Sequence, residues 1–132
     1  MAYADDYTTL KYFILFTAVI AFYAYFTLLL YPPFIRKNYT SSYQPQFSNL
    51  AARSLGAWFL LSAVTRAGAW YFWAERGWYD ACMVSLAVPL WHYGIEHLVF
   101  GSVTWGQILM AYGIDGGGLV WMMAVRKGVL RL

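Results

Sequence analysis

Between Tyr12 and Ile35 the chain runs for 24 residues without an acid, a base or a histidine. A helix needs about 20 predominantly apolar residues to cross the hydrocarbon of a bilayer. This run therefore constrains the fold more than any other feature. Two further stretches, Gly77 to Trp105 and Gly106 to Val125, are mostly apolar. Composition agrees, because 61% of the residues are hydrophobic and 11% are charged, where soluble domains carry about 25% charged residues. Inside lipid only helices and closed barrels satisfy their own backbone, and the period-two alternation of barrel strands is missing. The expectation is an all-α protein, a four-helix transmembrane bundle. It forms a single domain over residues 1–132, with spans at about 10–31, 50–73, 79–100 and 104–125.

The leader is acidic, with Asp5 and Asp6, whereas a secretory signal has a basic start and a shorter apolar core. The first span is expected to be retained. Tyr31-Pro32-Pro33 should end it, since consecutive prolines cannot continue a helix. The polar segment RKNYTSSYQPQFSN follows, in which Ser48 or Asn49 can cap the second helix. Asn38-Tyr39-Thr40 in that segment matches the glycosylation pattern. The second turn, WYFWAERGWYD, has the aromatic belt of a hairpin that meets the headgroups. Lys11, Arg76, Arg126, Lys127 and Arg131 gather on the side of the termini, against Arg36, Lys37 and Arg53 opposite. That balance favours termini on the cytoplasmic or matrix side. Cys82 is the single cysteine, so no intrachain disulfide and no cysteine-based zinc site is expected. A net charge of +3 indicates no nucleic-acid partner and suits anionic lipid headgroups.

Within the spans fall Arg53, Arg66, Glu96 and Asp115, with His92 and His97 beside Glu96. A charge at the bilayer centre costs about 2.5–3.5 kcal/mol on insertion scales, so such residues turn inward and find partners. His92 and Glu96 stand four apart on one helix face, and Ser62 lies one turn before Arg66. The preferred reading is a structural polar seam in which Arg66, with Ser62, meets Glu96 and His92 across the bundle. Two alternatives stay open. His92 and Glu96 could supply two metal ligands, or Arg66, Glu96 and Asp115 could line a proton or substrate path. No catalytic residue, cofactor or metal is assigned. The Gly113-Ile114-Asp115-Gly116-Gly117-Gly118 stretch implies either close helix packing, helped by the Gly113/Gly117 spacing, or a locally broken helix.

Residues 49–69, NLAARSLGAWFLLSAVTRAGA, followed by LWHYGIEHLVFGS at 90–102, resemble the ergosterol biosynthetic protein 28 family. The match runs through Ala52, Arg53, Ser54, Gly56 and Trp58, then Ser62 and Arg66, then His92, Tyr93, Glu96 and Phe100. It covers roughly half the chain; Ile95 and His97 depart from the family pattern. The resemblance implies a non-catalytic, multi-pass scaffold of the endoplasmic reticulum membrane. Such a scaffold tethers the sterol C-4 demethylation enzymes (methyl oxidase, decarboxylating dehydrogenase and ketoreductase) and self-associates among membrane lipids. The alternative is an accessory subunit that reuses this fold among the respiratory-chain subunits of the mitochondrial inner membrane.

Overall fold

A computed structural model describes residues 7–131, so the acidic leader lies outside the described residues. The order of elements is α1 (Thr8–Leu30), a short α2 (Pro32–Arg36), a 3-10 turn (Gln44–Gln46), α3 (Asn49–Tyr71), α4 (Arg76–Leu98) and α5 (Trp105–Leu130). Within α5, residues Tyr112–Gly116 form a π turn between the α-helical segments Trp105–Ala111 and Gly117–Leu130. No strand occurs among the described residues; one isolated bridge pairs Tyr39 with Val103. The fold is all-α, and the long helices lie close to the four stretches read from sequence. The last continues to Leu130, beyond the expected end at 125.

Local chemistry sets the boundaries. Tyr31 leaves helical geometry (φ −144°, ψ 71°), as the residue before a proline is driven to do, and the two prolines then open α2. Ser48 caps α3, its hydroxyl accepting from the Ala51 N–H at 3.0 Å. Thr104 caps α5 in the same way, accepting from the Gln107 N–H at 3.4 Å.

Two helices, α1 and α5, are long and apolar enough to cross a membrane. Helices α3 and α4 have the length, 23 residues each, or about 34 Å at 1.5 Å per residue, but they carry more polar residues. α1 packs along α3, where Ala52, Gly56 and Ala63 are buried. Small side chains let the two backbones approach, and Leu28 and Tyr25 of α1 lie over Gly56. The buried residues form two apolar clusters. One, with Leu10, Ile14, Tyr79, Leu86 and Met122, sits toward the chain termini. The other, with Leu28, Ala52, Tyr93, Val103 and Ala111, sits at the opposite end.

Close approach in α5 falls on Gly118, where an added Cβ would meet the Phe13 ring of α1 at 2.8 Å. Gly113 and Gly117 face open space. The glycine run is therefore neither broken nor packed through the expected pair; it is a π turn followed by a single tight contact. The α3–α4 hairpin closes in the same manner. Trp78 lies where a Cβ on Gly68 would stand and stacks on Phe72 at 5.5 Å.

Gly68→Ala forces the Trp78 ring off α3 and should cost about 1–3 kcal/mol. Gly77→Ala, with nothing within 4 Å of the new methyl, should be neutral or slightly stabilising. Thermal unfolding of the two variants in one detergent checks the contrast.

Candidate functional site

Between the two apolar clusters lies a polar layer centred on Arg66, which is 4% exposed. Every guanidinium nitrogen is engaged. Nε donates to Ser85 Oγ at 3.2 Å and Nη2 to the Ser85 carbonyl at 3.0 Å, while Nη1 stands 3.3 Å from Asp115 Oδ1. Ser85 Oγ in turn donates to the Cys82 carbonyl at 2.7 Å. Arg66 therefore joins α3, α4 and α5.

The sequence explains why a carbonyl in the middle of a helix is free to accept. The Ser85 carbonyl would normally bond the N–H four residues on, and that residue is Pro89, which has none. Proline thus leaves one acceptor in an apolar bundle, and the arginine occupies it. On α5, Asp115 sits in the π turn, where the extra residue per turn re-aims side chains. Charge opposite charge, with each guanidinium nitrogen engaged, is the arrangement that makes a buried ion pair tolerable.

This corrects the expected seam. Arg66 pairs with Asp115 and Ser85, not with Glu96 or His92. The Glu96 carboxylate accepts from the Ser102 hydroxyl, and its carbonyl accepts the Ser102 N–H at 2.8 Å. Glu96 thereby holds the α4–α5 loop. His92 packs edge-on to Tyr93, and its Nε2, shielded from solvent, has no hydrogen-bond partner among the described residues. Ser62 lines a groove between α3 and α4 together with His92. Of the other residues singled out, Ala52, Gly56 and Tyr93 are buried, and Arg53, Trp58 and Phe100 are exposed.

Hairpin symmetry is the signal that sequence reasoning missed. The tight turn after Tyr71 makes α3 and α4 antiparallel neighbours, so residues equally far from it lie level. Arg66, five residues before Tyr71, then lies level with Ala81, five after Arg76, and its long side chain reaches Ser85 one turn further on. Glu96 lies eleven residues beyond Ser85, about 16 Å along the axis, outside an arginine's reach. Ser85, Pro89 and Asp115 were the partners to seek.

Two further clamps fix the ends of the bundle. Near the termini, Arg126 grips Asp80 through two bonds, Nε to Oδ1 at 2.8 Å and Nη2 to Oδ2 at 2.7 Å. The buried Tyr79 donates its hydroxyl to the Met122 carbonyl at 2.6 Å. At the far end the Tyr39–Val103 bridge ties the long α1–α3 connection to the short α4–α5 turn. Thr40 N–H donates to the Ser102 carbonyl at 2.8 Å, and Thr104 N–H to the Asn38 carbonyl at 3.0 Å. His97 Nδ1 bonds the Val103 carbonyl at 2.7 Å; a carbonyl only accepts, so Nδ1 carries the proton. Tyr39 stacks on Phe47. Burial first, and the nearby Glu96 charge second, push its phenol up to about 12, so it stays protonated at physiological pH. Among the described residues no group of three or more His, Cys, Asp or Glu comes together as metal ligands would.

Comparison with known proteins places these features in context. Residues 10–120 match the family described as Erg28 like protein. The chain is 31% identical over 78 residues to the ergosterol biosynthetic protein 28 of Candida albicans, an alignment that covers 58% of this chain and 56% of that protein. The chain thus aligns with little more than half the length of that curated relative. No solved structure matches it.

Arg66→Leu should strand Asp115 and cost about 3–5 kcal/mol, whereas the double variant Arg66→Leu/Asp115→Leu should cost less than the sum of the singles. Glu96→Gln should add independently to Arg66→Leu. Detergent unfolding of the two double-mutant cycles separates these outcomes.

Proposed function

The chain belongs to the Erg28-like protein family, and from that premise we propose that it is a non-catalytic accessory protein with four membrane spans in one domain. Its work is to hold enzymes of sterol C-4 demethylation together in the endoplasmic reticulum membrane, and it self-associates there. The observation that carries this reading is the family match itself, which extends over parts of all four long helices and includes both Arg66 and Asp115. The name of the curated relative places that protein in ergosterol synthesis.

The chemistry of the polar layer supports a structural role. Arg66 spends its nitrogens on Ser85 and Asp115, and an arginine so engaged holds helices rather than a substrate. The exteriors of α3 and α4 support the four-span reading, because Leu50, Trp58, Leu61, Val64, Val84 and Trp91 all face outward. Exposed apolar side chains in such number suit lipid or a protein neighbour. Tyr71, Phe72, Trp73 and Trp78 flank the α3–α4 turn, which suits a turn that meets the headgroups through an aromatic belt.

Purification from native membranes in a gentle detergent should bring down a sterol methyl oxidase, a decarboxylating dehydrogenase and a ketoreductase, identified by mass spectrometry. Deletion should raise 4-methyl sterol intermediates several-fold while each enzyme keeps its activity when assayed alone. A normal sterol profile in the deletion strain would refute the proposal.

A further inference from the structure

A cavity of about 120 Å³ lies inside the bundle between α1, α3, α4 and α5. Its wall includes Arg66 of α3, Tyr93 of α4, and Gln107 and Asp115 of α5, and it extends to Asn38 in the α1–α3 connection. The polar layer therefore borders this space. Arg66 has all its nitrogens engaged on Ser85 and Asp115. Asp115 is less well served. A carboxylate offers about four acceptor sites, and among the described residues Arg66 is its one hydrogen-bonding partner, with Nη1 at 3.3 Å from Oδ1. The Asp115 side chain is 16% exposed. Gln107, buried on the same wall, bonds the Tyr93 hydroxyl, and its Oε1 has no partner among the described residues.

We infer that this cavity is a binding site for water, and that the bound waters complete the hydrogen bonding of the Asp115 carboxylate. Size, charge and donor chemistry each select water over other occupants. The space takes about four waters at the roughly 30 Å³ that each occupies in the liquid, whereas pockets for organic ligands run to about 300–1,000 Å³. Arg66 and Asp115 cancel in charge, and no other charged side chain lines the cavity, so an ion finds no counter-charge there. The unmet groups on the wall are acceptors. A lipid chain would leave them unmet, at the desolvation cost of a lost hydrogen bond. Water donates two bonds and accepts others, and a buried water typically makes about three to the polar groups around it. A molecule that donates to Asp115 can also accept from the Tyr93 hydroxyl or the Asn38 amide. A turn of the Gln107 amide about its last side-chain bond offers Oε1 to the same water. The site is independent of the proposed role in sterol synthesis, which the co-purification and the sterol profile test separately.

Short X-ray pulses split water bound inside a protein into hydroxyl radicals, which oxidise the side chains that touch it. The full chain in lipid nanodiscs is pulsed in this way, and oxidised residues are read by peptide mass spectrometry. Tyr93 and Tyr79 form a matched pair, 4% and 1% exposed. Tyr93 lines the cavity, and Tyr79 sits in the apolar cluster near the termini. Tyr93 should be oxidised several-fold faster than Tyr79, and a membrane-impermeant radical scavenger in the bulk should leave that difference in place. Ala111→Leu on α5 and Ala21→Leu on α1 fill the space from its wall. Each should bring Tyr93 down to the Tyr79 rate while Tyr79 itself is unchanged. A variant that unfolds raises both rates, and the unsubstituted pair of tyrosines then decides. Equal rates for the two tyrosines in the unsubstituted chain would overturn the inference. So would a Tyr93 rate that the scavenger abolishes, or one that both filled, folded variants leave unchanged.

Discussion

A guanidinium inside an apolar bundle is the constraint on which the rest of this structure turns. Arg66 is almost wholly withdrawn from the surface, and each of its nitrogens finds an oxygen on another helix. One of the carbonyls it uses is free because Pro89 cannot donate to it. The carboxylate it uses is presented by a π turn in α5. Two departures from ideal helix geometry, each costly alone, thus serve a single ion pair. The pair specifies the relative rotation of α3, α4 and α5 far more tightly than apolar contact could, since lipid and a neighbouring helix are nearly equivalent to a leucine.

The remaining polar residues work at the two ends. Asp80 and Arg126 close the bundle near the termini, and Glu96 with Ser102 shapes the far connection. Polar contacts therefore occur at three levels with apolar clusters between them. In such an arrangement the helices can slide past one another only by breaking a charged contact. That rigidity suits a protein whose proposed work is to position other proteins. It also leaves the outer surfaces of α3 and α4, and the groove between them, free of structural duties.

Much of this was legible in the residues. The ends of the helices follow from Pro32-Pro33, from Ser48 and from the short uncharged turn before Trp105, all local signals. The inward turn of Arg66 followed from the cost of a charge in lipid. Its partner did not follow from nearness in sequence. Glu96 drew attention because His92 shares its helix face, but an i, i+4 pair describes one helix and says nothing about the level at which a second helix crosses it. Antiparallel symmetry about the α3–α4 turn does contain that level: it sets Arg66 beside Ala81, one turn from Ser85 and about four turns from Glu96. The glycine run posed a similar problem, since which glycine meets another helix depends on rotation about the axis. Gly118, not Gly113 or Gly117, faces α1.

What the sequence determined by itself is an all-helical chain with apolar runs, family-typical polar residues and defined helix ends. These are consequences of hydropathy, backbone hydrogen bonding and proline stereochemistry, which act within one segment. The tertiary structure alone decided that Arg66 meets Asp115, that Glu96 serves a loop, and that His92 stands beside a groove with its Nε2 unpartnered. Those outcomes depend on axial level and helix rotation, set by side chains from several segments at once, and no single stretch of the chain encodes them.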